Sequence, residues 1–126
     1  MKHLLDVNLL IAGIIRTHSQ HPSALAWLEG KEIVLCPIVE LGFLRISTNS
    51  KAAIGLTMDR ARAALVIFAT ERKARRIPDD LPALDSHPGA SDQVTDHYLA
   101  DLAAKHGLKL ATLDSRLRHS SIECVS

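Results

Sequence analysis

The stretch Val94-Thr95-Asp96-His97-Tyr98-Leu99-Ala100-Asp101-Leu102-Ala103-Ala104-Lys105-His106-Gly107-Leu108-Lys109-Leu110-Ala111-Thr112-Leu113-Asp114 reads as a helix, a stop and a strand in direct succession. Leu99, Leu102 and Ala103 recur at helical spacing, so they form one buried stripe, and Asp96 sits at its top. The helix is expected from about Asp92 to His106, with Gly107 ending it as a C-cap. Leu108 to Thr112 then reads as a short buried strand, closed by Asp114.

Upstream the same alternation repeats. Lys2 to Val7 reads as a short buried strand, and Asn8 is placed to cap a helix from Leu9 to Arg16. His21-Pro22-Ser23 introduces a helix over Ala24 to Glu29, stopped by Gly30. Glu32 to Cys36 is strand-like, and Pro37 suits the first turn of a helix carrying Glu40, Leu41 and Leu44. A loop is expected over 49–55, then a helix capped by Thr57 with Ala61, Ala64, Leu65 and Phe68 on one face. Pro78, Pro82 and Pro88 leave Ile77 to Ala90 little regular structure beyond a very short strand near Ala83-Leu84. Ile122 to Val125 is the last strand. Strands alternating with helices predict a mostly parallel sheet of four to five strands, covered on both faces as a three-layer α/β/α sandwich.

Bulk composition fits one domain over residues 1–126. The chain has 126 residues, 47% apolar and 23% charged, which describes a globular protein and argues against disorder. Aromatic residues are only 3%, which counts against a platform of stacked aromatics for single-stranded nucleic acid. A net charge of +1 does not advertise a polyanion partner. The basic cluster Arg60, Arg62, Arg72, Lys73, Arg75 and Arg76 reads first as a solvated helix face and cationic helix end. Cys36 and Cys124 lack metal-site spacing and lie in strand-like surroundings, so both are expected as reduced core residues. No apolar run approaches the roughly 20 residues that span a bilayer, and no cationic leader precedes the first strand. A cytoplasmic protein without a membrane anchor is the expectation.

Carboxylates interrupt the apolar runs, and that pattern carries the chemistry. Asp6 closes the first strand, Glu40 opens the helix behind Pro37, Asp96 heads its helical stripe and Asp114 closes a strand. Desolvating a lone charge is costly, so acids at the rim of a core are seldom placed there without a partner. In a parallel sheet, ligands bind beyond the carboxyl ends of the strands, where all four acids are expected. Taken singly, Glu40 fits dipole complementarity in a first helical turn, and Asp114 fits the turn Asp114-Ser115-Arg116. Asp92 lies a turn before Asp96 as an accessory acid, whereas Asp101 falls off the stripe and is expected in solvent. The seven histidines show no zinc-type spacing with the cysteines. Oxygen-only ligands select a hard cation, Mg²⁺ or Mn²⁺.

The segments Leu4-Leu5-Asp6-Val7-Asn8, Pro37-Ile38-Val39-Glu40-Leu41-Gly42-Phe43-Leu44-Arg45 and Val94 to Asp114 together resemble the PIN-domain family, and within it the VapC-type toxins of bacterial toxin–antitoxin pairs. The resemblance implies a metal-dependent endoribonuclease on an α/β/α sandwich. By position it makes Asp6, Glu40, Asp96 and Asp114 the catalytic acids, with Asp6, Asp96 and Asp114 as metal ligands and Asn8 and Thr112 in support. It also implies an RNA substrate, a small antitoxin as partner, and a homodimer or toxin–antitoxin hetero-oligomer. His97 stands where alanine is commoner in the family, and an aromatic residue often found after the last aspartate is absent, with Leu117 nearby. The competing readings are a non-catalytic PIN-like module that binds RNA or protein, and a phospho-acceptor receiver domain. The latter wants adjacent acids at the first strand and a lysine after a late strand, and neither is present.

Overall fold

The computed structural model describes residues 2–51 and 54–125; Ala52 and Ala53, within the loop expected over 49–55, lie outside the described residues. Ten regular elements follow in chain order. They are β1 (Lys2–Leu5), α1 (Val7–Ile14), α2 (His21–Leu28), β2 (Glu32–Leu35), α3 (Pro37–Ser47), α4 (Met58–Glu71), β3 (Arg75–Arg76), α5 (Val94–Lys105), β4 (Lys109–Thr112) and β5 (Ile122–Cys124). The five strands form one sheet in the order β3-β2-β1-β4-β5, every pairing parallel. In register, Leu4 of β1 lies between Val34 of β2 and Leu110 of β4.

That strand order explains where the helices go. The chain moves outward from β1 to β2 to β3, then returns across the sheet to β4. Right-handed crossovers therefore put the helices before β3 on one face and α5 on the other. The contacts agree: α1 packs on α2, α3 and α4, whereas α5 packs on β4 and β1. Strands covered on both faces should be apolar throughout, and Leu4, Leu5, Ile33, Val34, Leu35, Leu110 and Ala111 are all buried. With so few aromatics, Phe43 is the bulkiest fully buried side chain, amid leucines from every layer. At the far edge Glu123 of β5 accepts from Trp27 Nε1 on α2 (3.0 Å) and bonds His3 Nε2 on β1 (3.0 Å).

Several local expectations change. Asp6, not Asn8, caps α1: its carboxylate accepts the Leu9 N–H at 2.8 Å, and the helix starts at Val7. The reason is that β1 stops at Leu5, two residues short, which leaves Asp6 extended and correctly placed to cap. Ala83–Asp85 is a 3-10 turn, not a strand; the short strand is Arg75–Arg76, on the edge beside β2. Arg75 and Arg76 therefore belong to the sheet rather than to a helix end, since Lys73 takes φ 52° and turns the chain out of α4. Cys36 is buried as expected, but Cys124 is exposed, because an edge strand shields only one side of its residues.

Gly42 lets α3 approach α1 closely. A Cβ there would lie 2.6 Å from Cγ2 of Val7, the first residue after Asp6. Valine has one strongly preferred rotamer in a helix, so this contact cannot relax cheaply. Gly42→Ala should destabilise the fold by about 1–3 kcal/mol, outweighing the roughly 1 kcal/mol that alanine gains in a helix. Adding Val7→Ala should restore most of that loss. Chemical denaturation of the two single variants and the double variant measures it, and additive losses would contradict the contact.

Candidate active site

The order of strands reverses between β1 and β4, and open parallel sheets form their binding crevice at such a point. Asp6 leaves β1 and Asp114 follows β4 by two residues, so both reach that crevice. Asp96 arrives in the first turn of α5, which covers β1 and β4 from the other face.

Asp6 is buried, with 1% of its surface exposed, and is fixed from three sides. Its amide donates to the Ala111 carbonyl of β4 at 3.0 Å, which prolongs the β1–β4 ladder by one bond. One carboxylate oxygen accepts from the Leu9 amide, and the other accepts from the Thr112 hydroxyl. Thr112 Oγ1 in turn accepts the Asp114 amide at 3.0 Å, so a single hydroxyl joins the two strand ends. Leu9, like Asp6, thus links the site to the core.

The three aspartates differ in charge state for identifiable reasons. Burial pushes Asp6 up to about 7; the bonds from Thr112 and Leu9 oppose this, and the charges of Asp96 and Asp114 add to it. Asp96 is also raised, by burial first and then by Asp114, against the pull of Arg116. Asp114 lies below its ordinary value because Arg116 grips it. That grip is bidentate, Nε to Oδ1 and Nη2 to Oδ2 at 3.0 Å each, and the Arg116 amide adds a bond to Oδ1 at 2.9 Å. The charges of Asp96 and Asp114 act on Asp6, and that of Asp114 on Asp96, in keeping with three acids at one end of the sheet.

The remaining expected residues stand differently. Glu40 lies in the first turn of α3, at the same rim after β2, but its carboxylate faces Arg76 of β3, with Nε 3.3 Å from each oxygen. Asn8 is exposed on the first turn of α1, and no side-chain hydrogen bond of Asn8 occurs among the described residues. Asp92 is exposed in a 3-10 turn before α5 and acts on Arg116 through its charge. Asp101 is not free in solvent; it binds His119 and His97. Arg116 was missed as a site residue, although the turn Asp114-Ser115-Arg116 carried the signal: an aspartate starting a turn meets the side chain two residues on.

Asp6, Asp96 and Asp114 are the carboxylates at this crevice, whereas among the described residues the group whose ligand atoms already lie within 4.8 Å of one another is His97, Asp101 and His119. The three aspartates offer oxygen only, and their repulsion is offset by one arginine that also serves a neighbouring turn. This donor set suits a hard divalent cation.

Comparison with known proteins agrees with the architecture. The PIN domain family model matches residues 3–122. Ribonuclease VapC38 of Mycobacterium tuberculosis (strain ATCC 25618 / H37Rv) is 35% identical over 121 residues, 89% of this chain and 84% of that protein. Ribonuclease VapC39 of the same strain is 34% identical over 131 residues, 96% of this chain and 94% of that protein. The crystal structure of VapBC2 from Rickettsia felis, bound to a DNA fragment from its promoter, superposes with a TM-score of 0.65 at 15% identity, covering 98% of each chain. The chain belongs to the PIN-domain family, on its VapC branch.

A carboxyl held at about 7 in the fold, against about 3.9 in an unfolded chain, binds its proton more tightly when folded. Its stabilising contribution is complete below pH 4 and is lost as pH rises through 7. Asp6→Asn keeps a capping oxygen and removes the charge. In EDTA at pH 8 that variant should therefore be more stable than wild type by on the order of 2 kcal/mol or more, and the difference should vanish near pH 4. Thermal melts across pH 4–8 measure this, and a constant difference at all pH values would contradict it.

Proposed function

We propose that the chain is a Mg²⁺- or Mn²⁺-dependent endoribonuclease, the toxin of a toxin–antitoxin pair, acting in the cytoplasm. The observation that carries this reading is the convergence of Asp6, Asp96 and Asp114 at the switch point of the sheet, with Thr112 bridging two of them. Support also comes from the relatives, which are named ribonucleases and align over nearly the whole chain. Among the described residues, no helix is long and apolar enough to cross a membrane.

On this reading Asp6, Asp96 and Asp114 would hold the metal, which when bound would supply a water acidified toward neutral pH and positive charge opposite the phosphate. Thr112 orients Asp6 through its hydroxyl, so this carboxylate is positioned before substrate arrives. Asp6 would bind that metal as a carboxylate. Glu40 orients the attacking water or joins the ligands once Arg76 releases it. Arg116 stands at the acids with its charge already committed to Asp114, and a phosphate offers it an alternative bidentate partner.

An antitoxin fits the same electrostatics, since one of its arginines entering the cleft would bring positive charge to the acids. Apolar side chains left in solvent, Leu84, Leu41, Val66 and Ile67 among them, supply surface for that partner or for a second copy.

Asp96→Asn and Asp114→Asn should each fold yet cleave RNA at least about 100-fold more slowly, and EDTA should reduce wild-type cleavage equally. Single-turnover cleavage of total RNA measures this, and folded variants of undiminished rate would overturn the assignment. Millimolar Mn²⁺ should raise the melting temperature of wild type but not of the Asp96→Asn/Asp114→Asn double variant. Equal shifts in both would place the metal elsewhere.

A further inference from the structure

A second cluster lies on α5, away from the acids that the nuclease reading uses. His97 and Asp101 are four residues apart and so share a face of the helix. His119 reaches them from the turn before β5, with Nε2 2.7 Å from Asp101 Oδ1. His97 Nδ1 lies 3.1 Å from Asp101 Oδ2, and the two imidazoles meet edge to face with centroids 5.2 Å apart. One ligand atom from each of the three residues falls within 4.8 Å of the others. Their side chains are 23%, 25% and 14% exposed, so the cluster is held by the fold but open on one side.

We propose that His97, Asp101 and His119 form a second metal site, for a transition metal of the Zn²⁺ class. Two imidazoles and one carboxylate select Zn²⁺, Co²⁺ or Ni²⁺ rather than Mg²⁺, and a water completes a tetrahedron. Ligands about 2 Å from one ion lie about 3.3 Å apart. The two contacts to Asp101 fall below that separation but use different oxygens, so the carboxylate must turn as the imidazoles draw together.

Protonation decides whether His119 is free to bind. Its Nδ1 accepts the Ser121 amide at 3.0 Å, so the ring proton sits on Nε2 and is given to Asp101. A metal at Nε2 displaces that proton; the neutral ring then carries its proton on Nδ1, and the Ser121 amide turns to water. The hydrogen bonds from His119 Nε2 to Asp101 and from the Ser121 amide to Nδ1 are exchanged for a coordinate bond. Ser86 Oγ, 3.1 Å from His97 Nδ1, is likewise released. Asp101 already favours its charged form: burial raises it, but the bonds from His119 and Ser86 and the two imidazoles together lower it below its ordinary value. The consequence is mechanical, because the metal would fasten the segment that carries Asp114 and Arg116 to the helix that carries Asp96.

The test is titration of the EDTA-stripped full chain with Co²⁺, followed by visible absorption, then displacement by Zn²⁺. Wild type and Asp114→Asn should both show the intense bands of nitrogen-ligated cobalt, and millimolar Mg²⁺ should leave them unchanged. His119→Ala and His97→Gln, checked for folding by circular dichroism, should lose the bands and bind Zn²⁺ at least tenfold more weakly. Nitrogen-15 spectra of the wild-type imidazoles should show the His119 proton moving from Nε2 to Nδ1 on adding Zn²⁺, which decides the matter even if a variant fails to fold. Bands that survive in both histidine variants, bands lost in Asp114→Asn, or a His119 proton that stays on Nε2 would overturn the proposal and leave a hydrogen-bonded clamp. Failure here leaves the nuclease reading intact, since that rests on RNA cleavage by other residues.

Discussion

One buried carboxylate constrains much of this structure. Asp6 ends β1, extends its ladder to β4, caps α1 and receives the Thr112 hydroxyl. An acid with 1% exposure is costly unless every oxygen is occupied, and here both are. The hydrogen bonds explain why it is tolerated; they do not fully offset burial, because the group still rises to about 7. The remaining strain is electrostatic and is shared with Asp96. A fold that keeps such a group at its centre has arranged a place where positive charge is favourable.

Asp114 shows the opposite solution. It is less buried, with 14% of its side chain exposed, and a neighbouring arginine holds it ionised. Two acids pushed up and one held down give a site with graded affinity for protons, and environments that part like groups in this way commonly mark chemistry. Arg116 is central to that grading because it meets three aspartates at once, Asp114 directly and Asp92 and Asp96 through its charge. Its exposure keeps this attachment weak enough to exchange.

The sequence carried the fold because alternating apolar strands and capped helices leave few topologies, and the right-handed crossover removes most of those. It carried Asp6, Asp96 and Asp114 because each stands where an apolar run ends. What it could not carry depends on one-residue offsets and on side chains that meet across space. Asn8 and Asp6 are both good caps, and only the point where β1 stops decides between them. His119 lies 18 residues from Asp101, so no helical periodicity could bring them together. Arg76 was hidden for a similar reason: a strand of two residues has no pattern to read, and its side chain meets Glu40 across 36 positions.

Glu40 tests how far convergence extends. The strand order places β1 between β2 and β4, so the element before Glu40 is as close to Asp6 along the sheet as the element before Asp114. Neighbouring strands lie about 4.8 Å apart, which is within reach of a glutamate side chain. In this structure its carboxylate is turned to Arg76, with Nε 3.3 Å from each oxygen. Arg76 is 54% exposed, and an exposed pair of this kind is worth less than about 1 kcal/mol. A divalent charge or a phosphate arriving at the crevice would compete with a pair this weak. On the proposed reading, the ion pair would keep Glu40 near the crevice in a form that a metal or phosphate could release.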